Sequence, residues 1–291
     1  MSVISRVDII KQTVVYIFSG EVDGEHLTSV GPLGTGFFVA VPHHQVEGRI
    51  WPYFVTAKHV LKRTPEQYWT EIFIRANVRG WTSNSNQLGA NFFRLPVVDG
   101  ARKLLWTIHS DPAVDLAVTQ QFPPVGTYEF QSIPSNIFAT HRIIREEEVA
   151  EGAEVFFPCF TPEIPQQRRN NPVMRFGKIA LMSGENIQTP DGSTTYHFAE
   201  CFPFGGNSGS PVFLRFGPAR RATQIVVAPE RYFLLGVMKG YWQHAEPVEV
   251  QQTQVRLSAR QHMGIAAVTP VDYLHEILYN EHLRRQRGEI S

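Results

Sequence analysis

Three short segments of this 291-residue chain hold side chains that could act together on a carbonyl group. The first, Tyr53-Phe-Val-Thr-Ala-Lys-His-Val60, is an apolar run that ends in an imidazole where a strand gives way to a turn. Taken alone, His59 reads more readily as a surface or hydrogen-bonded residue than as a base. In the second, Asp111-Pro-Ala-Val-Asp-Leu-Ala-Val118, an aspartate stands directly before an apolar run, placed to orient an imidazole N–H. Either Asp111 or Asp115 could instead cap the turn that opens the strand. The third, Phe204-Gly-Gly-Asn-Ser-Gly-Ser-Pro-Val-Phe213, sets Ser208 in the middle of a glycine-rich turn. Nucleophilic acyl transfer needs such a turn: a presented hydroxyl, and backbone N–H groups beside it to hold an oxyanion. A generic Gly/Ser loop is the competing reading, but Gly-Asn-Ser-Gly-Ser-Pro leading straight into Val212-Phe213 is far less generic.

The elements that must position these segments are mostly strands. Runs rich in Val, Ile, Phe, Tyr and Thr occupy 14–19, 36–41, 53–57 and 71–76, with Gly, Pro, Asn and Ser between them. A second set covers 154–157, 173–182, 194–200, 212–216, 232–238 and 264–268. The pattern predicts an all-β chain of two units in tandem, joined near Phe122-Pro-Pro-Val-Gly126, where two prolines discourage a central strand. One helical period appears, after Thr269-Pro270, with Val271, Leu274, Ile277, Leu278 and Leu283 on one face and Thr269 suited to the N-cap.

Composition narrows the function. The 27 Lys plus Arg balance 27 Asp plus Glu, so no net field would hold a polyanion, and nucleic acid is not an expected partner. No segment approaches the roughly 18 apolar residues of a membrane span, so a membrane role is not expected either. The amino terminus lacks a long apolar h-region and a small-residue cleavage site, which together with only two cysteines, Cys159 and Cys201, predicts a cytoplasmic chain with reduced thiols. Both cysteines read as buried apolar residues. His43, His44, His197, His244 and His262 have no metal-ligand spacing, and no cofactor is expected.

Taken jointly, Thr56-Ala-Lys-His59, Asp115-Leu-Ala-Val118 and Gly205-Gly-Asn-Ser-Gly-Ser-Pro211 resemble, in type and order, the three signatures of the trypsin-like (chymotrypsin-fold) serine peptidases. Separations of 56 residues from His59 to Asp115 and 93 from Asp115 to Ser208 leave room for the intervening strands. Gly34-Thr-Gly-Phe-Phe-Val resembles the strand before the histidine, and Leu235-Gly-Val-Met-Lys-Gly240 the substrate-facing strand after the serine. The resemblance implies two antiparallel Greek-key β-barrels, 1–125 carrying His59 and Asp115 and 126–291 carrying Ser208, the second ending in a helix at about 270–287. It implies Ser208 as nucleophile, His59 as general base, Asp115 as orienting carboxylate, and the N–H groups of Gly206 and Ser208 as oxyanion hole. Activity is then expected to rise with pH through a pKa of roughly 6 to 7. The primary substrate pocket falls on Phe202, Pro203, Phe204, Met238, Lys239 and Gly240, and reads as apolar or small.

Two departures qualify the resemblance. Asn207 stands where secreted members carry an aspartate that pairs with a freed amino terminus, so that activation route is not expected. Gly-Asn-Ser-Gly is closer to bacterial and organellar high-temperature-requirement proteases, yet their PDZ domain has no room after the terminal helix. Regulation is therefore assigned to loops, self-association or a partner protein, with 80–92 and 163–172 as candidate loops or passive insertions. The expected function is hydrolysis of peptide bonds in protein or peptide substrates. The alternative is a latent protease-fold binding module activated by, or docking to, a partner. An esterase is disfavoured because the Gly-x-Ser-x-Gly elbow is missing: Gly206-Asn-Ser-Gly-Ser210 ends in serine.

Overall fold

The computed structural model describes residues 6–23, 26–164, 166–189, 192–216, 220–221, 224–225, 230–249 and 256–290. In the first half, the Val14–Asp23, His26–Pro42, Ile50–Thr56, Glu71–Val78, Ala90–Pro96, Thr107–Ile108 and Ala117–Thr119 strands join one nine-stranded sheet. The sheet curls round a core of its own, since Ile17, Phe38, Phe54, Ile74, Leu95 and Ala117 from six of these strands belong to one buried cluster. Side chains alternate across a strand, so the opposite faces of the same strands need a second burial site. They have one: Phe37, Val39, Tyr53, Val55 and Val118 pack into another cluster together with Phe156, Phe213, Leu234 and Val237 of the second half. Burial on both faces explains why 37–41 and 53–55 read as unbroken apolar runs rather than alternating ones.

The second half closes on itself. The Glu154–Cys159, Val173–Met182, His197–Glu200, Arg256–Pro270, Arg231–Glu249 and Pro211–Phe216 strands follow one another round a barrel, each neighbour antiparallel. Val155, Phe157, Cys159, Ile179, Val212, Leu235 and Val268 fill it. Two short strands beyond residue 125, Tyr128–Glu129 and Ile133–Pro134, still pair with the first sheet, so the chain crosses to the barrel between them and Glu154.

Three elements differ from the sequence reading. The strand expected over 194–200 is two: Gly192–Thr194 pairs in a small hairpin with Ile187–Thr189, and only His197–Glu200 enters the barrel. The strands expected over 232–238 and 264–268 are much longer, because they continue as a hairpin whose register runs on to Glu249↔Arg256. Its polar sequence hid that extension from a hydrophobicity pattern. The single terminal helix is two helices, Val271–Leu278 and Glu281–Gln286. Tyr279 leaves helical geometry, Asn280 is extended, and the Asn280 side chain accepts from the Leu283 N–H at 2.8 Å, which caps a new start. Pro270, with extended geometry, takes the N-cap position of the first helix, and Thr269 is a buried strand residue. Among the described residues no helix is long and apolar enough to cross a membrane.

These helices lay Val271, Leu274, Ile277, Leu278 and Leu283 on the cluster shared by both halves. Leu274→Ala is therefore expected to cost about 2–5 kcal/mol of folding stability, read from urea midpoints, because the cavity opens at the seam where neither half can collapse into it alone.

Candidate active site

The seam between the halves carries the site. Tyr53 to Thr56 ends as a core strand and is followed at once by a short 3-10 turn over Lys58–Leu61, which turns His59 outward while Val60 and Leu61 stay buried. The buried Lys58 extends to the facing loop and donates from Nζ to the Pro112 carbonyl at 2.5 Å. That loop settles which aspartate does what. Asp111 Oδ1 accepts from the Ala113 N–H at 2.8 Å and so caps the turn. Asp115 is buried and faces His59, accepting the backbone N–H on Oδ1 at 2.9 Å and pairing with ring Nδ1 through Oδ2 at 2.6 Å. Burial pushes the Asp115 carboxyl upward, but His59, by charge and by these two hydrogen bonds, and the Lys239 ammonium outweigh it and hold the pKa at about 2.

The Ser208 turn belongs to the second half and is pressed onto the first. Gly209 has φ of +86°, open to glycine, and a Cβ there would collide with Thr35 O and Thr56 Oγ1. Ser208 O accepts from the Thr35 N–H at 2.8 Å, and beside it a Cβ on Gly34 would meet both Ser208 O, at 2.8 Å, and Val60 Cγ2, at 2.9 Å. The serine turn thus packs against Thr56 and Ala57, just before His59, and has Gly34 as a neighbour in common with Val60, just after it. Gly206, also left-handed at φ +90°, completes the turn. Among the described residues, the N–H groups of Gly206 and Ser208 donate to no protein acceptor, while the Gly209 N–H donates to Met238 O at 2.8 Å and the Ser210 N–H to Asn207 O at 3.1 Å. The Ser208 hydroxyl donates to Lys239 O at 2.9 Å.

Asn207 is fully buried and bolts the turn to its own barrel: Oδ1 accepts from the Phe204 N–H at 2.9 Å and Nδ2 donates to Phe160 O at 2.6 Å. An aspartate in its place could not make the second bond, since a carboxylate only accepts. This gives the Asn207 position a structural role that the sequence reading defined only by what it excluded.

The residues expected to line a substrate pocket separate into groups. Phe202 and Phe204 are exposed, at 61% and 49%, beside the serine turn, with the Arg175 guanidinium over the Phe204 ring and its Nη1 donating to Phe202 O at 3.0 Å. Pro203 between them is buried. Gly240 also lies beside the nucleophile, where a Cβ would stand 3.9 Å from Ser208 Oγ. Met238 does not line a pocket by its side chain: it is fully buried in the barrel core. Strand alternation sends Lys239 the other way, and its Nζ donates to the buried Tyr196 hydroxyl at 2.7 Å. The two candidate loops meet each other, with the Gly89 N–H donating to Arg168 O at 2.6 Å, Arg168 donating to Ser85 O, and Arg168 and Arg169 over the Trp81 ring. Ala90 to Phe92, at the end of the first loop, are already strand.

Cys159 and Cys201 are buried free thiols, and burial raises both, Cys201 to about 12. His197 is also buried, and among the described residues neither of its ring nitrogens has a hydrogen-bond partner. Burial holds its pKa at about 4, against about 6.5 in an unfolded chain. Between those values the unfolded chain binds the proton more tightly, so stability is complete above pH 6.5 and is lost as pH falls towards 4. Urea unfolding is expected to show about 2 kcal/mol lost by the wild type between pH 7 and pH 5 that His197→Leu does not lose.

A closed six-stranded barrel, a curled sheet before it and helices after it make this a chymotrypsin-like protease fold. No protein-family model and no curated protein matches the chain. Among solved structures it is similar to the MamO protease domain from Magnetospirillum magneticum in its apo form, with a TM-score of 0.50 and 16% identity over 94% of this chain and 100% of that one. An inactive form of the Rv3671c protease matches at a TM-score of 0.45 and 14% identity, over 94% of this chain and 90% of that one.

Proposed function

We propose that this chain is a serine endopeptidase that cleaves peptide bonds through an acyl-enzyme formed on Ser208. The observation that carries the reading is the double attachment of His59 to Asp115, by backbone N–H and by ring Nδ1, within a segment packed against the serine turn. With Nδ1–H donated to the carboxylate, Nε2 is the basic nitrogen. In the proposed reaction Ser208 Oγ attacks the scissile carbonyl carbon as its proton passes to Nε2. The C–O bond forms, the carbonyl π electrons move onto oxygen, and the N–H groups of Gly206 and Ser208 receive that oxyanion. The oxyanion then collapses, the C–N bond breaks, and His59 returns the proton to the leaving amine. Water repeats the sequence on the ester and frees the serine.

One feature favours a resting state that must rearrange before it reacts: the Ser208 proton is directed at Lys239 O rather than at a base. In the proposed reaction that proton turns from Lys239 O to His59 Nε2, and a substrate or partner that occupies Lys239 O with its own N–H would drive the turn. Exposed Phe202 and Phe204 beside the turn support a preference for apolar residues on the substrate.

The test is incubation of the purified chain with an unstructured protein and a peptide library at neutral pH, with new amino termini identified by mass spectrometry. Defined cleavages that disappear in Ser208→Ala would support the proposal. A folded wild type that generates no new termini from either substrate would count against it.

A further inference from the structure

Thr35 lies on the first sheet, far in sequence from the Ser208 turn, and every polar group it has is used at that turn or its support. It is fully buried. Its N–H donates to Ser208 O at 2.8 Å, and its carbonyl accepts from Thr56 Oγ1 at 2.8 Å. Its hydroxyl donates to Gly206 O at 2.8 Å and accepts from the Phe160 N–H at 3.0 Å. Phe160 is in turn the residue whose carbonyl holds the Asn207 side chain. One hydroxyl therefore joins three segments: a strand of the first half, the end of a barrel strand, and the turn that presents Ser208.

From this placement we infer that Thr35 is a positioning residue for the oxyanion hole, holding the Gly206 N–H towards the reacting carbonyl through its grip on the Gly206 carbonyl. The inference rests on the peptidase reading above. Gly206 is a glycine with φ of +90° and no side chain to fix it, so its two backbone torsions are soft. The peptide that follows it is anchored at both ends, its carbonyl by Thr35 and its N–H by Phe204 O at 3.1 Å. With that peptide held, the torsion on the carbonyl side of Gly206 is restrained, which narrows the directions open to the N–H on its other side. Without the hydroxyl, the buried Phe160 N–H and the partly buried Gly206 O both lose that partner, and the turn relaxes to find others. The hole would then be set within the second half alone, whereas Thr35 ties it to the half that carries His59 and Asp115.

Thr35→Val keeps the shape of the side chain and removes the hydroxyl, and Thr35→Ser keeps the hydroxyl and removes the methyl. For a cleaved peptide, Thr35→Val is expected to lower kcat about 10²-fold, the scale of losing one oxyanion donor, with KM within about 3-fold of wild type. Affinity for a peptide boronate, which forms a tetrahedral adduct on the serine, should fall in parallel with kcat, and Thr35→Ser should restore both to within about 3-fold. A merely structural role would shift thermal stability without this split between kcat and KM. If Thr35→Val does not fold, Thr35→Ala, which leaves space for water at the same site, is compared with Thr35→Ser in its place. Wild-type kcat in the hydroxyl-less variant, or a Thr35→Ser variant as slow as it, would overturn the Thr35 assignment alone. A folded wild type that neither cleaves peptides nor binds the boronate would overturn the peptidase reading and this inference with it.

Discussion

Replacing Ser208 by alanine is expected to lower kcat for peptide hydrolysis by about 10⁶-fold while the thermal midpoint stays close to that of the wild type. The two effects separate because of how the side chain is held. Ser208 is half-buried, and among the described residues its hydroxyl makes one hydrogen bond, to Lys239 O. The bond that ties the turn to the first sheet runs from Thr35 N–H to the Ser208 backbone carbonyl and survives the change. His59→Ala should cost a similar factor, since a hydroxyl with no base beside it is nearly as inert as no hydroxyl. The double variant should be no slower than either single one, because nucleophile and base act as one unit. Steady-state rates on one cleaved peptide, with thermal melts of all three variants, check this. Rates that multiply in the double variant would show that Ser208 and His59 act independently.

Asp115→Asn should leave the chain folded and lower kcat by about 10⁴-fold. Asp115 accepts two hydrogen bonds from one residue, the His59 backbone N–H and ring Nδ1. An amide can satisfy the backbone N–H with its oxygen, but then presents an NH₂ group to the ring. Nδ1 must become the acceptor, the proton moves to Nε2, and the nitrogen that should receive the serine proton is blocked. The pH dependence follows from the same pair. With the Asp115 pKa held at about 2, below the ordinary carboxylate value, its contribution to stability is complete above pH 3.8 and is lost only as pH falls through 2. Asp115 is thus ionised across any practical assay range, and a loss of activity between pH 5 and 8 reports on another group. A kcat in Asp115→Asn within tenfold of wild type at pH 7 would contradict the assigned orientation of the imidazole.

What could be read in the sequence was whatever the chemistry writes locally. Histidine at a strand end, aspartate before an apolar run and serine in a Gly-Asn-Ser-Gly turn are each local strings, because a presented side chain needs its own turn beside it. The central strands were legible for a similar reason: burial on both faces leaves continuous apolar runs such as 37–41. Two kinds of feature escaped. Polar strands did, as in the hairpin that continues to Glu249↔Arg256, since its pairing leaves no apolar signature. So did contacts between distant segments. Thr35 reaches Gly206 across 171 residues and Phe160 across 125, and nothing in Gly34-Thr-Gly marks a hydroxyl with two partners. Lys239 shows the same limit in reverse, for its place on the substrate-facing strand suggested a pocket, while its ammonium is committed to Tyr196. Asp111 and Asp115 could not be told apart from their own segment, where only the family resemblance pointed to Asp115, and the loop geometry, with Lys58 holding Pro112 O, gives the physical reason: Asp111 caps the turn and Asp115 pairs with His59.

The central claim is that Ser208 is an activated nucleophile in the folded chain, and active-site labelling with a fluorophosphonate tests it most directly. The reagent reacts with a serine whose proton is taken by a base and whose phosphoryl oxygen finds oxyanion donors, so it reports the assembled site without knowledge of the substrate. The account predicts one label per wild-type chain at neutral pH, located on Ser208 by peptide mass, and none on Ser208→Ala or His59→Ala under the same conditions. A folded wild type that takes up no label, or one labelled as fast after His59→Ala as before, would contradict it.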